Sequence, residues 1–516
     1  MIPIIDLFAG PGGLGEGFSS IKDLNNSRAF KIALSIERDP HAHQTLTLRN
    51  FVRQFPFRKI PKEYYQFLRG EIKNIEDLYV KYPKQSEEAK KEAWKFSLGN
   101  PEDHEKIDER IRESLKGEKN FVLIGGPPCQ AYSLVGRARR KEKDGLNKED
   151  ERVYLYREYY RILAVHQPAV FIMENVKGLL SSKVEKESIF NQLLNDLKNP
   201  VESYRKLHGK NKLPESKHSY KIYSLVKEAH SANLFGEEYE PSDFIIRTEE
   251  YGIPQTRHRV IILGVRDDIK QTPETLKKAK KLVTVKDVIE TLPKIRSGLS
   301  KQLDSKFEWK KSISDLGELN LKNDIAQEVW LKMLQEILNL KAPQKDKGSI
   351  FIEADVTIGY NTSWFLDKKI KGVCNHESRS HIKEDLWRYL FVSCFGKIKG
   401  RSPKLTEFPS RLLPKHQNAK SGDFANRFKS QLWHEPARTI TSHISKDGHY
   451  FIHPDPGQCR SLTVREAARI QTFPDNYFFC GPRTEQFHQV GNAVPPLLAK
   501  QIARVVQLIM QQNSIF

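Results

Sequence analysis

Short apolar runs that stop at glycine or at an acidic residue recur through the first half of the chain. Residues 2–8 form one such run, closed at once by Ala9-Gly10-Pro11-Gly12-Gly13. Residues 30–36 form a second, ending at Glu37. Phe121-Val122-Leu123-Ile124 is a third, ending at Gly125-Gly126, and residues 169–173 are a fourth, stopping at Glu174-Asn175-Val176. Runs this short, bounded by turn formers, predict buried strands. Residues 221–226, 244–247 and 259–265 predict further strands. Between the runs the spacing becomes helical. Residues 151–166 put Leu155, Tyr159, Ile162 and Leu163 on one face before Pro168 ends the helix. Near the C-terminus, Thr463 stands as an N-cap with Glu466 three positions on, and Pro474 follows the helix. A last helix carries an apolar stripe of Leu498, Ile502, Val505, Val506 and Ile509. Strand–helix alternation of this kind reads as an α/β fold.

Two stretches break the alternation. Residues 73–119 contain SEEAKKEAWKF and HEKIDERIRESLKG, rich in helix formers and i,i+4 charge pairs, and predict a helical insertion that covers the sheet. Residues 267–456 are lysine-rich and irregular, with Trp309, Trp330, Trp364, Trp387 and Trp433. They predict a second, smaller domain of sheet and loops. The expected division is therefore 1–266, then 267–456, then a return to the first domain over 457–516.

The chain of 516 residues is long enough for two such domains. Its net charge of +20 favours a polyanionic partner, most simply nucleic acid. No apolar run approaches a membrane span, and the N-terminus lacks a signal-like core, so a cytoplasmic protein is expected. The five cysteines, at 129, 374, 394, 459 and 480, form no CxxC pair, which argues against a disulfide framework or a thiolate metal site.

Candidate chemistry gathers at the ends of the predicted strands. Gly10, Gly12 and Gly15 match G-x-G-x-x-G, and Glu37 follows roughly 20 residues later, where an acid can accept bonds from ribose hydroxyls. Taken alone this reads as a dinucleotide site. Phe8 at the strand end is placed either to cover an adenine or to fill the core. Cys129 follows two prolines at the mouth of a strand and is placed like a nucleophile; a buried structural cysteine is the equal alternative. The loop after it, with Arg137, Arg139 and Arg140, offers cations to phosphates or is a solvated charge run. Glu174 shares a rim with Cys129 if the sheet is parallel. Gln255, Arg257 and Arg259 alternate and would project to one face of an extended segment, as a row of donors for phosphate or a base edge.

Together, DLFAGPGGLGEGF, GGPPCQAYS, MENV, QTRHRVIILG, LTVREAARIQTFPD and QVGNAVPP, in this order, resemble the C5-cytosine DNA methyltransferases. The resemblance implies a Rossmann-like, S-adenosylmethionine-dependent methyltransferase fold: a mixed sheet with helices on both faces, plus a target-recognition domain. It replaces a dinucleotide with S-adenosylmethionine and requires no metal. Phe8, Ala9, Gly10, Gly12, Gly13 and Leu14 would surround the cofactor. Glu37, with Arg38 beside it, would hold the ribose, Pro127 would line the pocket, and Asn492, Ala493 and Val494 would close it. Glu71-Ile72 stands where the family usually has Asp-Ile beside the adenine. Cys129 would attack cytosine C6, Glu174 with Asn175 would serve N3, and Arg257 and Arg259 would hold the base and the thiolate region. Gln130 and Ser133 would close over a cytosine flipped out of the duplex.

The family setting implies double-stranded DNA as partner, a monomer, and a restriction-modification or phage-defence context with a cognate partner. Residues 267–436 would choose the target, closed by Thr439-Ile440. A tRNA cytosine methyltransferase and a catalytically dead DNA-binding homologue are the rival readings.

Overall fold

A computed structural model of the chain describes residues 1–57, 59–128, 155–181, 183–184, 187–208, 218–228, 239–319, 321–414 and 427–512. Among the described residues, eight strands form one mixed sheet. In chain order they are β1 (Ile2–Leu7), β2 (Phe30–Glu37), β3 (Ala93–Lys95), β4 (Val122–Gly125), β5 (Val170–Val176), β6 (Tyr220–Tyr223), β7 (Ile245–Arg247) and β8 (His258–Arg266). Across the sheet the order is β3-β2-β1-β4-β5-β8-β6, with β7 also on β8. The first five strands are parallel. β8 runs antiparallel to β5, β6 and β7.

The chain builds outward from β1 through β2 to β3, then crosses to the other side for β4. The carboxyl ends of β1 and β4 therefore flank a topological switch point, where α/β sheets bind ligands. Because β8 is antiparallel, its amino end reaches the same rim.

Alternation along each strand feeds two cores. Ile4, Ile124, Ile172 and Ile261 face one side, with α1 (Gly13–Ser19) and the C-terminal helices. Ile5, Leu123, Phe171 and Ile262 face the other, with α2 (His104–Leu115) and α3 (Leu155–His166). The C-terminal elements are α4 (Val464–Ile470), α5 (Arg483–Asn492) and α6 (Pro496–Gln512). The stripe from Leu498 to Ile509 is buried on the first side. Thr463 caps α4 reciprocally: its Oγ1 accepts from Glu466 N at 3.2 Å, and Glu466 Oε2 accepts from Thr463 N at 2.7 Å.

Three details depart from the sequence expectations. β5 continues through Glu174 and Asn175 to Val176, because β8 pairs with that stretch in register. The charged insertion is helical, yet it also contributes β3 as an edge strand on β2. Among the described residues of 267–456, a two-stranded pair, Gly348–Glu353 with Gly372–Glu377, stands beside helices that the expectation of sheet and loops did not include. Val285, Val288, Ile289 and Leu292 pack into the first core of the main sheet. Beyond them, helices Lys306–Ser314, Gln327–Leu338 and Lys383–Lys399 enclose a separate core around Trp309, Met333 and Tyr389.

Candidate active site

Phe8 leaves β1 with φ 55°, and Gly10 and Gly12 follow with φ 57° and 92°. This succession folds the chain back sharply over the rim before α1 begins. A side chain at Gly10 would meet nothing within 4 Å, so open space lies above the loop there. Gly13 is closed in instead: a Cβ would stand 2.4 Å from the Val494 carbonyl oxygen. Ala493 and Val494 are buried against this loop, while Asn492 is exposed. Tyr477 adds a second tie, its hydroxyl donating to the Pro11 carbonyl. Leu14 belongs to the buried core beneath.

Glu37, at the end of β2, holds the loop. Its Oε2 accepts from Gly10 N and its Oε1 from Asp39 N, each at 2.7 Å. Burial raises its carboxyl above the usual range, and these backbone donors oppose the shift. The carboxylate keeps acceptor capacity for a further donor. Arg38, next along, is exposed.

Glu71 and Ile72 are not brought to this rim. Glu71 is exposed on the turn after helix Lys62–Leu68 and pairs with Arg69. Ile72 packs with Leu68, Tyr64 and Phe51 in a separate cluster. The physical reason is the third strand. β3 lies later in the insertion, and Phe96 N, just beyond it, donates to Glu37 O at 3.1 Å. The rim position beside Glu37 thus belongs to Phe96 and its neighbours.

On the other side of the switch point, Gly126, Pro127 and Pro128 leave β4. Asn175 Nδ2 donates to Pro127 O at 3.4 Å, and Asn175 Oδ1 accepts from Val176 N at 2.8 Å. Glu174 Oε1 pairs with Arg259 Nε at 2.9 Å across the β5–β8 ladder. Arg259 Nη1 also donates to His258 O at 2.8 Å. Glu174 Oε2 lies over Gly126, where an added Cβ would come within 2.8 Å of it. Cys129 is the residue after Pro128. Cys129, Gln130, Ser133 and the basic loop with Arg137, Arg139 and Arg140 lie outside the described residues.

Arg257 and Gln255 do not face the rim as a donor row. Arg257 is 2% exposed, and its Nη1 donates to Ile440 O at 2.7 Å and Gly491 O at 3.1 Å. Among the described residues, its Nε has no hydrogen-bond partner. Burial, and then the neighbouring Arg259, hold its guanidinium well below the ordinary range. Gln255 is fully buried and spends its amide inside the protein, so it is unavailable to phosphate or a base.

The other four cysteines are all buried. Burial pushes the Cys374 and Cys480 thiols up to about 12, and those of Cys394 and Cys459 also rise. None of these can supply a thiolate near neutral pH.

The sequence reading missed Asp6. It sits inside β1, fully buried, and neither carboxyl oxygen has a hydrogen-bond partner among the described residues. Burial pushes it up to about 8, with Arg53 opposing and Glu37 reinforcing. An acid inside the run IPIIDLF was the available signal. Among the described residues, one group has metal-ligating geometry, His218 with Asp267 and Asp268. It lies past the end of β8, at the opposite edge of the sheet.

The sequence model of the C-5 cytosine-specific DNA methylase family matches residues 84–201 and 223–508. The chain belongs to this family. It is an enzyme of the DNA (cytosine-5-)-methyltransferase type. The type II methyltransferase M.Bpa9945I of Bacillus paralicheniformis is 32% identical over 531 residues, covering 98% of each chain. The type II methyltransferase M.AgeI of Thalassovita gelatinovora is 27% identical over 77% of this chain and 86% of its own. The DNA (cytosine-5-)-methyltransferase M.ApeKI of Aeropyrum pernix is 24% identical over 77% of this chain and 83% of its own.

Proposed function

We propose that this methylase transfers a methyl group from S-adenosylmethionine to C5 of a flipped cytosine in a specific duplex sequence, through a covalent bond from Cys129 to C6. The observation that carries the reading is the Glu174–Arg259 pair, set on the rim one strand from β4, whose exit at Gly126–Pro128 leads in sequence to Cys129, with every other cysteine buried.

The residues present fit the cofactor. The open space above Gly10, the half-buried Phe8 and the Glu37 carboxylate suit an adenosyl group with a hydroxylated ribose. Phe8, Ala9, Gly10, Gly12, Gly13 and Leu14 would hold it, with Glu37 on the ribose, Pro127 on the substrate side, and Asn492, Ala493 and Val494 as the far wall. S-adenosylmethionine supplies a methyl group on a sulfonium and leaves as S-adenosylhomocysteine.

Cytosine C5 is a poor nucleophile. Addition of the Cys129 thiolate to C6 pushes electrons into the ring and makes C5 enamine-like. Glu174 delivers a proton toward N3 as that charge develops. Arg259 holds Oε1 of the acid, leaving Oε2 over Gly126 for the base. Arg257 and Arg259 favour the thiolate and the developing negative charge. C5 then takes the methyl group and gives up its proton to a base such as water. Elimination of the Cys129 thiolate restores the aromatic ring. C6 is inaccessible in a stacked duplex, so the base must leave the helix.

Residues 267–436, part of which builds a core around Trp309, Met333 and Tyr389, supply the target reading, and Thr439-Ile440 close that segment. The type II designation of the relatives extends the reading to a restriction-modification setting. The test is methyl transfer from labelled S-adenosylmethionine to unmethylated duplex DNA and to tRNA. The reading expects label at cytosine C5 in duplex DNA at a fixed sequence. Label in tRNA alone overturns it.

A further inference from the structure

Four stretches remote in sequence meet around two buried glutamines. Gln255 Oε1 accepts from Ile440 N at 3.1 Å. Its Nε2 donates to Ile470 O at 3.2 Å and to Gln471 Oε1. Gln471 Nε2 then donates to Val490 O at 2.7 Å and Ala493 O at 3.2 Å. Both side chains are fully buried. Each amide is therefore saturated, with no solvent to replace a lost partner.

The two ends of this chain of bonds are functional places. Ile440 lies where the segment leaving the 267–436 region rejoins the catalytic domain. Ala493 and Val494 press on the glycine loop at Gly13. The two ends also touch directly. At Gly491 a Cβ would fall 2.4 Å from both Ser442 N and Thr441 C, so the two backbones are in contact. Arg257 Nη1 bridges the same pair through Ile440 O and Gly491 O. Arg257 is two residues from Gln255 and two from Arg259, which holds Glu174.

We infer that Gln255 and Gln471 are positioning residues: a buried amide latch through which seating of the 437–442 segment on DNA sets the cofactor-facing loop 490–494 and the strand carrying Arg259. The latch rests on the proposed cofactor and DNA sites. A shift of Ile440 must either move Gln255 with it or strand a buried N–H, and the second course is unfavourable. The displacement therefore passes to Gln471 and on to the carbonyls of Val490 and Ala493. Cofactor and DNA binding are then coupled, each strengthening the other by the same factor.

The test measures that factor. S-adenosylhomocysteine is titrated calorimetrically into the full-length enzyme, alone and with saturating PCR-made duplex that the wild type methylates. The wild type should bind S-adenosylhomocysteine on the order of 10-fold more tightly with the duplex present. Gln255→Met cuts the link between Ile440 and Gln471. It should keep each single affinity within about 2-fold, yet cut the coupling factor at least about 3-fold, the remainder passing through Arg257 and the direct backbone contact. Gln471→Met should also cut the factor, and in addition weaken S-adenosylhomocysteine alone, because the wall loses its donors. Gln501→Leu removes a bond to Tyr251 O that lies outside the latch and outside the proposed cofactor and DNA segments, and should retain the wild-type factor. Gln255→Met or Gln471→Met with undiminished coupling overturns the inference, as does a wild type with none. If Gln255→Met does not fold, Gln471→Met decides by the same ratio. Failure of the wild type to bind S-adenosylhomocysteine, or to methylate the duplex, overturns the underlying site reading instead.

Discussion

Gly126→Ala separates the acid from the fold. The new methyl would stand 2.8 Å from Glu174 Oε2, whereas the other neighbours, Glu174 O and Cβ, lie at 3.7 and 3.8 Å. The conflict is thus with the free end of a flexible side chain. Gly126 is not among the residues with positive φ, so alanine adopts its backbone without strain. Glu174 escapes by rotating, and rotation breaks its 2.9 Å contact with Arg259 Nε. Both side chains are mostly buried, at 13% and 14% exposure, so the lost charge-assisted bond is worth about 1.5–3 kcal/mol. The glycine-to-alanine change returns about 0.4–1 kcal/mol through the unfolded chain. The melting midpoint should therefore move by no more than about 6 °C. A displaced general acid loses about 10²–10⁴ in rate. Single-turnover transfer from tritiated S-adenosylmethionine to duplex DNA should fall by at least about 100-fold, alongside Glu174→Gln as reference. Affinity for S-adenosylhomocysteine should not change. A folded Gly126→Ala enzyme with the wild-type single-turnover rate would refute the reasoning.

Other consequences are equally open to measurement. Glu37→Ala should weaken S-adenosylmethionine and S-adenosylhomocysteine alike, since a ribose contact ignores the methyl group; unchanged calorimetric dissociation constants would remove Glu37 from the site. Asp6 has its folded carboxyl at about 8 against an ordinary 3.8, so the folded protein keeps a proton that the unfolded chain has lost. Its contribution to stability declines as pH rises from about 4 to about 8, and Asp6→Asn should make the fall in melting temperature between pH 5 and pH 9 shallower. Parallel melting profiles for variant and wild type would contradict this. Exchanging residues 267–436 for the matching segment of a relative with a known target should transfer that target, read by bisulfite sequencing; an active chimera that keeps the original site would move recognition to the loop after Cys129.

The parts of the fold legible in the sequence are those where local pattern and burial coincide. The run Val122–Gly125 is a buried strand because its residues are apolar and glycine ends it. The Thr463–Glu466 cap and the stripe on α6 follow from short-range chemistry. β3 was hidden because three residues, Ala93-Trp94-Lys95, sit among charges, and only pairing with β2 makes them a strand. That pairing also puts Phe96, and not Glu71-Ile72, beside Glu37, and no local signal marks it. Gln255 and Arg257 carry polar side chains on an alternating segment, which sequence alone assigns to a surface. Their partners are the Gln471 side chain and backbone groups at residues 440, 470 and 491, and no local signal reveals partners so distant in sequence. The same limit applied to Val285 and Ile289, whose burial depends on the main sheet.

The central claim is the covalent bond from Cys129 to C6, and trapping tests it most directly. Duplex DNA carrying 5-fluorocytosine at the methylated position should accept the thiolate and the methyl group and then stop, because fluorine cannot leave as a proton. Incubation with S-adenosylmethionine should give a denaturation-resistant protein–DNA adduct, with Cys129 identified as the attached residue by mass spectrometry. Cys129→Ala should give no adduct and no methyl transfer. An adduct at another residue, or methylation by the Cys129→Ala enzyme, would contradict the account.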